Sequence, residues 1–157
     1  MVTFATLCYL VRGNKVLLQK KAKGYFGEGR WNAPGGKIRN GELPERAAVR
    51  EMFEETRLRV AGLRFHGLLN FYVGDSKELD QTVFLFVCKQ GKGGMRASVE
   101  GNLEWFKIDA VPYRDMWEDD RLWLPSLIEG KSLVGDFYFS DNYKHLLSHR
   151  MCIARGS

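Results

Sequence analysis

Hydrophobic and polar positions alternate in short runs over the first twenty residues. Two β-prone runs, residues 4–12 and 15–20, are separated by Gly13 and Asn14. Glycine and asparagine tolerate the positive φ angles that a tight hairpin turn requires. The pattern therefore predicts a β-hairpin at the start of the chain.

The strongest helical signal lies over residues 44–56, where Pro44 suits a first helical position and no breaker follows. A second helix is predicted over residues 119–127, with acidic residues in its first turn. Further strands are predicted at residues 60–72, 81–89, 104–108 and 132–139. Strands outnumber helices, and the hairpins imply antiparallel pairs. The fold class is therefore α+β, an α/β/α sandwich around a mixed sheet.

Between the second strand and the helix lies a glycine-rich segment, residues 23–31, that also carries aromatic side chains. Such a composition is typical of an ordered loop that lines a pocket. The 157 residues suit one domain, predicted over residues 1–153, with residues 154–157 as a tail outside it.

Composition and charge narrow the class of partner. The chain is 45% hydrophobic and 27% charged, as in globular proteins, and its net charge of +5 favours anionic ligands. Its basic residues are scattered, which fits nucleotides as well as nucleic acid. Residues 4–11 run straight into polar positions and resemble neither a signal peptide nor a membrane span.

The cysteines predict a reducing environment. Cys8, Cys88 and Cys152 are odd in number, far apart and without a C-x-x-C pair. They indicate neither a disulfide framework nor a zinc site. We therefore expect a cytoplasmic protein.

An acidic face marks the first predicted helix. At about 100° per residue, Glu51, Glu54 and Glu55 fall within one quadrant, while Met52 and Phe53 face broadly the other way. Three carboxylates this close repel one another unless a cation offsets them. Hard oxygen ligands of this kind suit Mg²⁺ or Mn²⁺. Taken alone, the cluster is more typical of a solvated helix face.

The loop before this helix changes that balance, because two glycines and Glu42 precede it and the Gly36 carbonyl could complete a metal site. The signature G-x5-E-x7-R-E-U-x-E-E-x-G-U, with U a bulky aliphatic, is matched at Gly36, Glu42, Arg50, Glu51, Glu54, Glu55 and Leu58. The chain thus resembles the Nudix (MutT-like) hydrolases. Arg57 stands where that family has a glycine, and it suggests a differently built helix end.

Outside this signature, the chain resembles the animal-type oxidised-purine nucleoside triphosphatases in residues 27–32, 105–106, 112–120, Trp123, Pro125 and 135–139. The resemblance implies a base pocket built from Asn32, Phe26, Trp117, Asp119 and Asp120. Its aromatic rings would stack on a purine, and the two aspartates could share a proton. Judged without the resemblance, the aspartates could instead cap the following helix, and Trp117 could belong to the core.

The loop of this chain departs from that subfamily. Ala33 and Pro34 precede the double glycine, and the segment around Phe26 is one residue longer. We therefore expect a pocket of different shape.

The resemblance further implies Mg²⁺-dependent hydrolysis of purine nucleoside triphosphates such as 8-oxo-dGTP, which yields the monophosphate and pyrophosphate. The metal would be held by Gly36, Glu51, Glu54 and Glu55, with Arg50 orienting these carboxylates. The general base is Glu51, Glu100 or another glutamate, and Glu100 could instead be a metal ligand. Lys21 and Lys23 either meet phosphates or form a solvated strand end.

Other outcomes stay open. The substrate could be ADP-ribose, a dinucleoside polyphosphate or an RNA 5′ end. The chain could also be a non-catalytic nucleotide- or RNA-binding module. A monomer without a membrane or nucleic-acid partner is expected.

Overall fold

The computed structural model of the protein describes residues 1–154, which form a mixed β-sheet between two α-helices. The strands are β1 (Thr3–Arg12), β2 (Lys15–Lys21), β3 (Trp31–Asn32), β4 (Gly35–Lys37), β5 (Arg59–Ala61), β6 (Arg64–Val73), β7 (Glu78–Cys88), β8 (Gln90–Lys92), β9 (Gly101–Lys107), β10 (Ser132–Phe139) and β11 (Leu146–Ala154). The helices are α1 (Pro44–Thr56) and α2 (Asp120–Ile128).

The main sheet has the order β11-β10-β6-β7-β1-β2-β3, with β4 beside β1 and β9 beside β2. The pairs β1/β7 and β6/β10 are parallel, whereas the other pairs in this sheet are antiparallel. Strands β5 and β8 form a separate small ladder. The mixed sheet confirms the predicted α+β class.

The predicted N-terminal hairpin is confirmed. Val11 pairs with Val16 and Arg12 with Lys15, and Gly13 in the turn has a φ of 59°. A positive φ is accessible to glycine without steric cost. The turn therefore directs β2 back along β1 and places Lys21 at the end of the hairpin.

Helix α1 spans the predicted residues, but the expectation that Arg57 gives a differently built helix end is wrong. Arg57 itself adopts the left-handed conformation, with φ 65° and ψ 10°, and its N–H donates to the Phe53 carbonyl at 2.9 Å. Its guanidinium carbon also lies 5.1 Å from the centre of the Phe53 ring. The arginine thus builds the same helix end that glycine would, at a cost of about 1–2 kcal/mol in backbone energy.

Helix α2 begins at Asp120, one residue later than predicted. Asp119 precedes it with helical backbone angles and makes no side-chain capping hydrogen bond. The capping interpretation of this residue is therefore wrong. Neither α-helix within residues 1–154 has the length and apolarity that a bilayer crossing demands.

Two hydrophobic cores lie on opposite faces of the sheet. The core under α1 includes Met52 and the thiols of Cys8 and Cys88, whose sulfur atoms lie 3.7 Å apart. The core under α2 includes Tyr9 and Trp123. Because β1 alternates between the two faces, it contributes side chains to both cores.

Some strand boundaries differ from the prediction. The expected strand over residues 60–72 is split, because Gly62 turns the chain with a φ of 67°. Strand β11 was not predicted, since its side chains are mostly exposed on both faces and show little alternation. Ala154, which the sequence placed in the tail, pairs with Ser132 at the end of β11. The rest of that predicted tail, residues 155–157, lies outside the described residues.

Candidate active site

A cavity of about 440 Å³ runs from the face of α1 to an aromatic cluster beside α2. The sequence-predicted site residues that line it are Lys21, Phe26, Asn32, Gly36, Glu51, Glu100, Trp117, Asp119 and Asp120. Arg50, Glu54 and Glu55 do not line the cavity. Lys23 is exposed in the loop between β2 and β3. Of the predicted metal site, Gly36 and Glu51 thus line the same cavity as the residues of the predicted base pocket.

Arg50 connects the carboxylates of α1 and the preceding loop. Its Nε and Nη2 donate to the two oxygens of Glu42 at 2.8 and 2.9 Å. Its Nη1 donates to Glu51 at 2.8 Å and to Glu54 at 3.3 Å. The paired hydrogen bonds from Arg50 lower the pKa of Glu42 to about 2. These contacts are those expected of an arginine that orients carboxylates.

Glu55 is the most deeply buried of the three helix glutamates, with a side chain 1% exposed. It accepts hydrogen bonds from the Gly35 N–H at 2.9 Å and from the Lys21 ammonium at 3.4 Å. Burial, together with the neighbouring carboxyl of Glu100, raises the pKa of Glu55 to about 9. Lys21 also lies 3.8 Å from Glu100. Lys21 therefore bridges two carboxylates, and the description of it as a solvated strand end is wrong.

Within residues 1–154, no group of three His, Cys, Asp or Glu side chains is already arranged around a metal position. The carboxylates are instead paired with basic side chains, Glu51 and Glu54 with Arg50 and Glu55 with Lys21, and Glu54 is 47% exposed. The donor chemistry nonetheless fits a divalent cation. Burial raises the pKa of Glu51 as it does that of Glu55, so both carboxylates are stabilised by an approaching cation.

Gly36 makes room for the Glu51 carboxylate. A Cβ at this position would lie 2.6 Å from the Glu51 Cδ and 2.7 Å from its Oε1. Such distances are well inside van der Waals contact, so only glycine allows the carboxylate to approach the backbone here. The signature glycine and the signature glutamate are therefore adjacent in space.

Asn32 lines the end of the cavity beside α2 and presents hydrogen-bond donors there. Its Oδ1 accepts from the Ala33 N–H at 2.8 Å and from the Tyr9 hydroxyl at 3.4 Å. The carbonyl side of the amide is thus used within the protein, which leaves the two N–H groups of Nδ2 for a ligand.

The paired aspartates are buried at the same end of the cavity, with Asp119 1% and Asp120 2% exposed. Asp119 accepts a hydrogen bond from the Trp123 indole at 2.8 Å. Within the described chain, Oδ2 of Asp120 has no hydrogen-bond partner. Burial raises the pKa of both carboxyls, and the charge of Asp119 raises that of Asp120 further. The pair is therefore suited to hold one proton between two carboxyl groups.

Trp117 is partly buried, and its ring is covered by two side chains of the preceding glycine-rich loop. Phe26 stacks on it with ring centres 5.1 Å apart and an interplanar angle of 25°. The guanidinium carbon of Arg30 lies 4.2 Å from the ring centre. A base that stacks on Trp117 must replace one of these two contacts.

Several cavity residues were not found by sequence reasoning. They are Arg30, Phe71, Gln81, Phe139 and Tyr143. Four of them come from β6, β7, β10 and the turn after β10, and the sequence assigned none of them a role in the site. Gln81 lies in the polar first half of β7, between Asp80 and Thr82, so its polarity gave no signal.

Comparisons with known proteins agree with this geometry. The NUDIX domain pattern matches residues 1–127. The oxidised purine nucleoside triphosphate hydrolase of Mus musculus is 39% identical over 137 residues, covering 87% of this chain and 86% of the mouse protein. The protein of the same description from Danio rerio is 37% identical over 147 residues, covering 93% and 92%.

Among solved structures, a MutT protein from Bacillus halodurans superposes with a TM-score of 0.85 at 30% identity, covering 95% of this chain and 97% of that one. Fold, sequence pattern and overall similarity therefore agree, and they confirm the predicted Nudix fold. The chain belongs to the Nudix family.

Proposed function

We propose that this protein hydrolyses purine nucleoside triphosphates, and oxidised ones such as 8-oxo-dGTP in particular, to the monophosphate and pyrophosphate. The observation that carries this proposal is the single cavity that joins Glu51 and Gly36 at one end to Asn32 and the paired aspartates at the other. The mouse and zebrafish relatives, named oxidised purine nucleoside triphosphate hydrolases, support it. Such an activity removes damaged precursors from the nucleotide pool.

The base end supports an oxidised purine. An 8-oxopurine carries an N–H at position 7, where an ordinary purine has only an acceptor nitrogen. Asn32 offers donors, while Asp119 and Asp120 together offer one donor and further acceptors. Donors and acceptors thus stand beside each other, as the edge of such a base requires.

At the phosphate end, we assign the Gly36 carbonyl, Glu51, Glu54 and Glu55 to a divalent cation, Mg²⁺ or Mn²⁺. When bound, this ion neutralises negative charge on the phosphate oxygens. Arg50 keeps Glu51 in place through its 2.8 Å hydrogen bond.

In the reaction, a water oxygen forms a bond to phosphorus while the bond from phosphorus to the pyrophosphate oxygen breaks. The water proton passes to a carboxylate, and both Glu51 and Glu100 face the cavity for this purpose. Lys21, which contacts Glu55 and Glu100, is assigned to phosphate oxygens as well. Lys23, exposed in the loop, is assigned to phosphate contact on the sequence alone.

The proposal is tested by measuring pyrophosphate release with Mg²⁺ from normal and oxidised deoxynucleoside triphosphates. We expect turnover to be fastest with an oxidised purine. Binding without turnover would instead support a non-catalytic nucleotide-binding module. Exclusive activity on ADP-ribose, a dinucleoside polyphosphate or an RNA 5′ end would move the substrate to another Nudix class.

Variants assign the individual residues. Replacing Glu54 or Glu55 by Gln should lower turnover by orders of magnitude, and near-normal rates would remove them from the metal site. Glu51→Gln and Glu100→Gln are compared by their pH–rate profiles, in which loss of the acidic limb marks the base. Asp119→Ala should raise KM for an oxidised purine more than for a pyrimidine triphosphate.

We also propose that the protein acts as a monomer in the cytoplasm. The cavity is lined by side chains of one chain, so no second copy is needed to complete it. The free thiols of Cys8 and Cys88, in contact but not bonded, suit a reducing environment. Light scattering on the purified protein tests the oligomeric state.

A further inference from the structure

Tyr143 occupies an unusual place at the base end of the cavity. Asn142 and Tyr143 have φ angles of 58° and 57°, so two successive non-glycine residues take up left-handed backbone conformations. A bulky residue rarely adopts this region without a constraint from its surroundings. The ring of Tyr143 packs edge-on against Phe26 at 5.4 Å and against Trp117 at 5.8 Å. The strained turn therefore directs this side chain into the aromatic cluster.

The hydroxyl of Tyr143 belongs to a chain of hydrogen bonds with a defined direction. It donates to Asp80 Oδ2 at 2.6 Å and accepts from Gln81 Nε2 at 2.9 Å. A carboxylate can only accept, so the phenol proton points to Asp80, and the phenol oxygen is left to accept from the amide nitrogen. Burial and the hydrogen bond to Asp80 raise the pKa of Tyr143, so the phenol keeps its proton.

This direction fixes the orientation of the Gln81 amide. Because Nε2 faces Tyr143, the carbonyl oxygen Oε1 lies on the other side, and no group within residues 1–154 donates to it. Gln81 lies level with Thr3 of β1 and Phe71 of β6, and all three line the cavity. An acceptor oxygen is thus presented from a wall that otherwise carries few polar groups.

We infer that Gln81 is a specificity-determining residue that accepts a hydrogen bond from an N–H of the bound purine, and that Tyr143 is its positioning residue. The inference rests on the proposed function for the class of ligand, a purine nucleotide. Gln81 comes from β7 in the middle of the main sheet, whereas Asn32 comes from β3 at its edge and the aspartates come from the start of α2. Hydrogen-bonding side chains therefore reach the base from two sides of the cavity.

The test measures binding without turnover, by titration calorimetry in EDTA with nucleoside monophosphates. Three pairs each differ in N–H groups: 8-oxo-dGMP with dGMP, dGMP with dIMP, and dAMP with the unsubstituted purine nucleotide. The variants are Gln81→Met, which keeps the length of the side chain, Gln81→Leu as a second apolar replacement, and Tyr143→Phe. Thr82→Val is the matched control, because Thr82 faces the opposite side of β7 and donates to Asn70.

For at least one pair, we expect Gln81→Met to weaken the nucleotide that has the extra N–H by about 3- to 10-fold, the effect of one neutral hydrogen bond. Its partner should change by less than about 2-fold, since it lacks that hydrogen bond. Tyr143→Phe should shift the same pair in the same direction, and Thr82→Val should shift none. Equal effects on both members of every pair, or no effect, would overturn the inference.

Two further results separate the parts of the proposal. A Tyr143→Phe protein that discriminates like the wild type would overturn the positioning role of the tyrosine. A protein that shows the binding difference but releases no pyrophosphate from any triphosphate would refute the proposed hydrolysis and leave the role of Gln81 standing. Melting temperatures of all variants confirm that affinities are compared between folded proteins.

Discussion

Glu55 should make the stability of the protein fall as pH rises, because its carboxyl is buried in the folded chain. Burial and the carboxyl of Glu100 raise the pKa of Glu55 from 4.5 to about 9. In the unfolded chain the group titrates near its ordinary value, so between these two values the folded chain holds a proton that the unfolded chain has released. The stabilising contribution is fully present below the unfolded pKa and is lost as pH rises toward the folded pKa.

The size of this effect follows from the number of protons. One proton bound on folding changes the free energy of unfolding by about 1.4 kcal/mol per pH unit. Between about pH 6 and about pH 8 the loss would be about 2.7 kcal/mol, a large part of the stability of a typical domain. The Lys21 ammonium, 3.4 Å from the carboxylate, favours the ionised form, and the pKa of about 9 already includes this effect.

The assay is urea unfolding followed by tryptophan fluorescence, with EDTA in every sample so that no divalent cation contributes. Wild type is compared with Glu55→Gln, which keeps the shape of the side chain and removes its titration. Glu45→Gln is the control, because Glu45 lies on the exposed side of the same helix. We expect wild type and the control to lose stability with rising pH, and Glu55→Gln to lose much less. Parallel slopes for wild type and Glu55→Gln would refute the argument.

Three further predictions concern α1, its C-terminal end and the neighbouring strand β4. Gly36→Ala should lower kcat about 100-fold in the pyrophosphate assay, since the added Cβ displaces the Glu51 carboxylate. The melting temperature should stay near normal. A wild-type rate would show that the close approach of Glu51 to Gly36 is not needed. Arg57→Gly should raise the free energy of unfolding in urea by about 1 kcal/mol, because glycine adopts the left-handed conformation without strain; a loss of stability would show that the aromatic contact of the arginine outweighs the strain. Arg50→Lys should lower kcat by about tenfold or more with little change in KM, because lysine cannot make the paired hydrogen bonds to the Glu42 carboxylate. An effect confined to KM would instead indicate that Arg50 contacts the substrate.

Features determined by local chemistry could be predicted from the sequence. The helix expected over residues 44–56 and the strand expected over residues 132–139 have these bounds in the structure. A proline at a first helical position and a tight turn at Gly13 act within a few residues, so they can be read without knowing the rest of the fold. The helix signature is local in the same sense.

Features that depend on distant parts of the chain could not be predicted. On a helical wheel Glu54 and Glu55 look alike, yet one side chain is 47% exposed and the other 1%. Lys21 and the Gly35 N–H, which come from other elements, make this difference. Gln81 and Tyr143 are likewise brought together only by the sheet and the turn that follows it.

The rate at which the two thiols under α1 react reports how often this helix separates from the sheet. Cys8 and Cys88 are buried between that helix and the sheet, whereas Cys152 is exposed on the last strand. A thiol-specific reagent should therefore modify one cysteine at once and the other two only as often as the helix lifts from the sheet. Comparing the slow rate with and without nucleotide and Mg²⁺ would report how firmly ligands hold this part of the molecule together.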